Sequence, residues 1–121
     1  MIAITVDPES STAPFEQIRM RVRDAVRSGE LAAGTKLPTV RALAAEVGVA
    51  VNTVAKAYRA LESDAVIETR GRNGTFVSAT GDPTEQQAQL AATAFADRMA
   101  ALGVDEAAAL AYARAALRAD R

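Results

Sequence analysis

Residues 39–61 read Thr39-Val40-Arg41-Ala42-Leu43-Ala44-Ala45-Glu46-Val47-Gly48-Val49-Ala50-Val51-Asn52-Thr53-Val54-Ala55-Lys56-Ala57-Tyr58-Arg59-Ala60-Leu61. Thr39 follows Pro38 and is a capping residue for a short helix in which Val40, Leu43, Ala44 and Val47 recur at helical spacing. Gly48 interrupts the pattern, and a second run begins near Val51 and continues to about Ser63. Two helices separated by a few residues around one glycine form a helix-turn-helix pattern. At roughly 100° per residue, Val54, Ala57, Tyr58 and Leu61 fall on one face of the second run, and Asn52, Lys56 and Arg59 on the opposite one. An amide and two cations in one stripe suit a helix laid in a major groove, where Asn pairs with adenine and Lys or Arg with guanine or phosphate. Thr53, on the shoulder, can reach a thymine methyl or a phosphate. The same stripe also describes an ordinary solvated face, so the surrounding segments decide its meaning.

Downstream, Val66-Ile67-Glu68-Thr69-Arg70 and Thr75-Phe76-Val77-Ser78 are strand-like, with Gly71-Arg72-Asn73-Gly74 between them. Asn-Gly between strand formers is a hairpin signal. Upstream, Pro14 suits a first helical turn, Phe15, Ile18, Val22, Ala25 and Val26 follow at helical spacing, and Gly29 offers a stop. Leu31 to Leu37, containing Gly34, reads as a compact connector. The alternation of Ile2, Ile4 and Val6 predicts a short strand ended by Asp7-Pro8, with a loop through Thr12. Three helices and a basic-tipped hairpin describe a winged helix over residues 1–80. Arg41 and Arg72 then add cations where that architecture meets phosphate or a minor groove.

A different composition starts after Ala79. Asp82-Pro83-Thr84-Glu85 is a capping-box helix start, and the helix carries Ala91, Phe95, Met99 and Leu102 to Gly103. Asp105 caps a last helix with Tyr112 on one side and Leu110 and Leu117 on another. This 81–121 tail has too few large side chains for a core of its own. A second copy of the chain is therefore its expected partner, through Phe95, Met99, Leu102, Leu110, Tyr112 and Leu117. The expected fold class is mostly α with a small β-hairpin: a winged helix-turn-helix plus a two-helix C-terminal dimerisation arm.

Composition sets the exclusions. The 121 residues contain no Cys and no His, which removes thiol nucleophiles, imidazole bases, disulfides and the commonest zinc and haem ligands. Glu46, Glu62 and Glu68 have no nucleophile placed beside them in sequence, and neither an enzyme nor a cofactor is expected. No basic leader or run of about 20 apolar residues is found, so no membrane role is expected and a cytoplasmic location fits. Residues 1–80 hold ten basic and nine acidic side chains, and residues 81–121 four and six, for a formal net charge of −1 overall. A nucleic-acid partner therefore requires the cations of this near-neutral chain to be concentrated on one face.

Pro14-Phe15-Glu16-Gln17-Ile18, Ser28-Gly29-Glu30-Leu31, Leu37-Pro38-Thr39-Val40-Arg41-Ala42-Leu43-Ala44, Asn52-Thr53-Val54-Ala55-Lys56-Ala57-Tyr58 and Gly74-Thr75-Phe76-Val77 resemble, in order and spacing, the GntR family of bacterial transcription regulators. The short two-helix tail and the Ile-Ala-Ile-Thr-Val-Asp start resemble its YtrA subfamily. The resemblance implies DNA contacts at Arg41, Asn52 and Thr53 and at the wing tip around Gly71 and Arg72. Lys56 and Arg59 join them from the helical-face argument. It also implies a homodimeric repressor on a palindromic double-stranded operator. No small-molecule effector is specified, and the tail does not read as a formed pocket. Three departures stand out. Ala50-Val51 lacks the capping side chain many relatives have, Ala65 replaces the usual glycine of the helix–wing turn, and the tip reads Gly-Arg-Asn-Gly. Winged helices also serve as protein-interaction modules that never touch DNA, which is the alternative function.

Overall fold

The computed structural model describes residues 1–119; the last two residues of the expected 81–121 tail lie outside the described residues. Helix α1 spans Pro14–Ser28, α2 Val40–Val47 and α3 Val51–Ser63, followed by strands β1 Ile67–Thr69 and β2 Thr75–Val77 and helices α4 Pro83–Ala101 and α5 Glu106–Arg118. The apolar stripe of α1 puts Ile18, Val22 and Ala25 inside. They meet Val54, Ala57, Tyr58 and Leu61, the whole predicted inner face of α3. Ala25, Ala44 and Ala57 are buried without bulk, letting the three helices approach closely.

Local chemistry sets the helix-turn-helix. Thr39 accepts a hydrogen bond from the Ala42 N–H at 3.1 Å, satisfying one open donor of α2. The Gly48 and Val49 N–H groups close the far end on the Ala44 carbonyl. The Tyr58 hydroxyl donates to the Pro38 carbonyl at 2.8 Å, tying the middle of α3 to the entry of α2. Burial, aided by the negative charge of Glu46, pushes the Tyr58 phenol up to about 12.

β1 and β2 pair antiparallel with Ile67 opposite Val77 and Thr69 opposite Thr75. Their tip differs from the two-residue Asn-Gly turn that the sequence favours. Gly71–Asn73 forms a 3-10 turn, and Asn73 is not in the positive-φ region that such a turn demands. The 31–37 connector also does more than connect. The Gly34 N–H donates to the Val77 carbonyl at 2.8 Å, the Val77 N–H to the Thr35 carbonyl at 2.9 Å, and the Leu37 N–H to the Thr75 carbonyl at 2.8 Å. Residues 34–37 thus cover the outer edge of β2 as a short third ladder.

The N-terminal expectation needs correction. Ile2 and Ile4 are buried and Ala3 and Thr5 exposed, as alternation requires, yet residues 1–6 form no strand. They lie extended against the core, where the Arg21 guanidinium donates to the Ala3 carbonyl at 3.0 Å. Burial of two isoleucines holds the segment in place without a sheet edge to pair with.

Every buried core residue lies between Ile2 and Val77. Helices α4 and α5 bury no residue in the single chain. Asp82 and Glu85 form the capping box on α4, and Asp105 caps α5 through the Ala108 N–H at 2.9 Å.

Candidate nucleic-acid interface

Asn52, Lys56 and Arg59 are exposed and Thr53 half-buried, all on the side of α3 facing away from the core. Asn52 and Thr53 occupy the first turn. Ala50 caps that turn with no side-chain hydrogen bond, so the first donors of α3 remain open to an anion. Lys56 is held in place: its Nζ lies 4.0 Å from the Phe15 ring centroid, a cation–π contact that fixes the ammonium beside the start of α1. Pro14, Phe15, Asn52, Thr53 and Lys56 together line a shallow groove there. Arg41 sits exposed at the second position of α2, and Gly71 and Arg72 are exposed on the 3-10 turn at the wing tip.

The electrostatics divide the near-neutral chain into two parts. On α1 three of the four arginines are paired, and Arg27, in the last turn, is not. Arg19 hydrogen-bonds Glu16 and lies 3.8 Å from Asp64, Arg21 pairs with Glu30 at 3.0 Å, and Arg23 with Asp24 at 3.1 Å. Hydrogen bonding from Arg19 and Arg21 holds the Glu16 and Glu30 carboxyls below the usual range. Among the described residues, Arg41, Lys56, Arg59 and Arg72 have no carboxylate within ion-pair distance. Glu62, one turn from Arg59, instead accepts the Thr69 hydroxyl at 2.9 Å. Within residues 1–80 the cations without an ion pair are therefore Arg41, Lys56, Arg59 and Arg72, together with Arg27 and Lys36.

Two cations of this region escaped the sequence reading. Lys36, in the third ladder opposite Phe76, lays its aliphatic stem over Gly74, where a Cβ would stand 2.8 Å from the Lys36 Cε. Glycine suits this point because of its backbone, at φ 109°; the flexible lysine stem could swing aside from a Cβ. Arg70 stacks 4.4 Å from the Phe76 centroid and lies 3.5 Å from Glu68. Lys36 had no detectable signal, because its place beside the wing comes from long-range backbone pairing.

The residues expected at a dimer contact are placed as follows. Leu102, Leu110, Tyr112 and Leu117 are exposed, Leu117 at 79%, Phe95 is just over a third exposed and Met99 is half-buried. Phe95, Met99 and Leu110 line one nearly all-apolar hollow in the α4–α5 hook. Among the described residues there is no cluster of three or more Asp and Glu side chains able to hold a metal, and no helix long and apolar enough to cross a membrane.

Residues 14–77, from the first turn of α1 to the end of β2, match the family described as "Bacterial regulatory proteins, gntR family". The chain belongs to the GntR family. Among its relatives, this GntR chain is 49% identical over 109 residues to the HTH-type transcriptional regulator Rv1152 of Mycobacterium tuberculosis, covering 90% of this chain and 89% of that one. It is 41% identical over 81 residues to the HTH-type transcriptional repressor YtrA of Bacillus subtilis, covering 67% and 62%. Among solved structures it is similar to the AraR DNA-binding domain in complex with operator ORX1, with a TM-score of 0.54 and 26% identity over 61% of this chain and 94% of that one. This GntR protein is a YtrA-like transcriptional regulator, and it is not an enzyme.

Proposed function

We propose that the protein is a homodimeric repressor that recognises a palindromic operator. Each protomer sets α3 in a major groove, with Asn52 and Thr53 towards base edges and Arg41, Lys56 and Arg59 on bases or backbone. Arg72 and Gly71 follow the adjacent minor groove. The observation that carries this reading is that Arg41, Lys56, Arg59 and Arg72 are exposed and free of carboxylates on α2, α3 and the wing, while three of the four α1 arginines are ion-paired. Two further findings support it. The similar AraR domain is held on operator DNA, and the relative YtrA is named a repressor. A cytoplasmic location accompanies this role.

The dimer reading rests on α4 and α5. They leave Phe95, Leu102, Leu110, Tyr112 and Leu117 uncovered in one chain, and large apolar side chains exposed in such number on two helices are suited to an interface. Residues 81–121 act in this account as the dimerisation arm and residues 1–80 as the reading domain. An isologous pair imposes its two-fold axis on the DNA site. The test is a gel-shift comparison of the full chain with a chain ending at Thr80. The shortened chain is expected to stay folded, since its core is intact, and to lose most operator affinity. Equal affinity would overturn the dimer assignment. Retention of the full chain on nonspecific DNA at low salt separates this function from a protein-only interaction module, which would flow through.

A further inference from the structure

A cleft of about 430 Å³ opens between the C-terminal end of α1, the 31–35 loop and the middle of α4. Its volume falls within the range of small-molecule sites, about 300–1,000 Å³. Most of its wall is small and apolar, including Val26, Leu31, Ala92 and Ala96. Its only charged lining residue is Asp97, which has no hydrogen-bond or ion-pair partner among the described residues. Thr35 adds a hydroxyl on the opposite wall. We propose that this cleft binds a compact organic cation, an amine on an apolar body, with the ammonium on Asp97 and the body against the alanine wall.

The site is joined to the DNA-reading wing by backbone. The Thr93 hydroxyl donates to the Ala33 carbonyl, and Leu90 Cδ2 lies 3.0 Å from where a Cβ on Gly34 would stand, so α4 is seated on the 33–35 wall. The next groups of that wall are the Gly34 N–H and the Thr35 carbonyl, which bond Val77 of β2. An occupant that wedges α4 from Ala33–Thr35 therefore acts on the ladder that holds the wing. This consequence rests on the wing reading DNA; the binding itself does not.

The experiment is backbone-amide NMR on the full chain, titrated with tryptamine, tryptophol and indole-3-acetate, which share a body and carry a positive, zero or negative charge. Tryptamine is expected to give saturable shifts at Ala33, Thr35, Thr93 and Asp97 that extend to Val77. Tryptophol is expected to bind more weakly and indole-3-acetate not at all. Asp97→Asn should weaken tryptamine by about tenfold, the scale of one charge-assisted hydrogen bond. Ala92→Leu, which fills the cleft, should abolish the shifts while leaving the rest of the spectrum intact. Absence of saturable shifts, equal response to the three compounds, or no effect of Asp97→Asn would overturn the proposal. So would a loosened dimer in sedimentation of Ala92→Leu without tryptamine binding, which would make a second copy the occupant. Operator affinity of the compound-free protein, measured by fluorescence anisotropy, reports DNA binding separately.

Discussion

Ala65 is the one non-glycine residue with positive φ among the described residues, at 60°. It stands where α3 turns into β1. The Ala65 N–H donates to the Glu62 carbonyl at 3.0 Å, and the Val66 N–H to the Leu61 carbonyl at 2.9 Å. Those bonds cap α3 and aim the wing, so the turn cannot relax without loosening both. For an L-residue the left-handed conformation brings Cβ against the following carbonyl, at about 1–2 kcal/mol. Ala65→Gly removes that strain and gives back about 0.4–1 kcal/mol through the greater freedom of the unfolded chain. The side chain is exposed, so no packing is lost. The net expectation is a gain of about 0.5–1 kcal/mol, or about 2–4 °C in Tm for a chain this size. Urea unfolding followed by circular dichroism measures it, with an unchanged m-value showing that the native fold is kept. Ala65→Val, adding a β-branch to the same φ, should destabilise relative to alanine. A destabilised glycine variant, or a valine variant as stable as the parent, would refute the strain assignment.

The remaining predictions concern the same surfaces. Ala50→Ser supplies the missing side-chain acceptor at the start of α3 and should add about 1 kcal/mol of stability in the same urea assay. Arg41→Ala and Asn52→Ala should each cost about 1–3 kcal/mol on a specific site. Arg72→Ala should weaken all sequences evenly and lower the salt slope by about 1, both read by anisotropy across a salt series. The Tyr58 phenol is raised in the folded state, so the native chain holds its proton more tightly than the unfolded one. Its contribution is fully present below the unfolded value near 10 and is lost as pH rises from there towards about 12. Tyr58→Phe should flatten the fall in stability over that window in thermal melts, while losing the bond to Pro38.

What could be read from the residues was local. Thr39, Asp82 and Asp105 announce their helices because each cap accepts from the N–H three residues on. The faces of α3 were readable because burial follows the helical period residue by residue. Contacts between distant segments were not readable. Alternation at Ile2, Ile4 and Val6 suggests a strand, but alternation does not specify a hydrogen-bonding neighbour, and the segment has none in a sheet. The 34–37 ladder is made of backbone groups that any sequence carries, so both the edge cover of β2 and the place of Lys36 beside the wing were hidden. At the tip, Gly71 takes positive φ, and the chain turns three residues earlier than Gly74 implies. The pairing of Lys56 with Phe15 joins two helices and left no mark in either alone.

A formal net charge of −1 is the least promising feature for the proposed DNA-binding role. It is accounted for by position. Glu16, Asp24, Glu30 and Asp64 neutralise three of the four α1 arginines, while Arg41, Lys56, Arg59 and Arg72 on α2, α3 and the wing have no ion pair. On the proposed function few phosphates are contacted, and affinity then depends on base contacts and on two protomers acting together.

Selection of bound duplexes from a random pool by the full-length chain tests that account most directly. It predicts enrichment of one two-fold symmetric site whose half-site centres lie about one helical turn apart, with the enrichment lost for Asn52→Ala combined with Arg41→Ala. A pool that stays random, or an enriched site without two-fold symmetry, would contradict it.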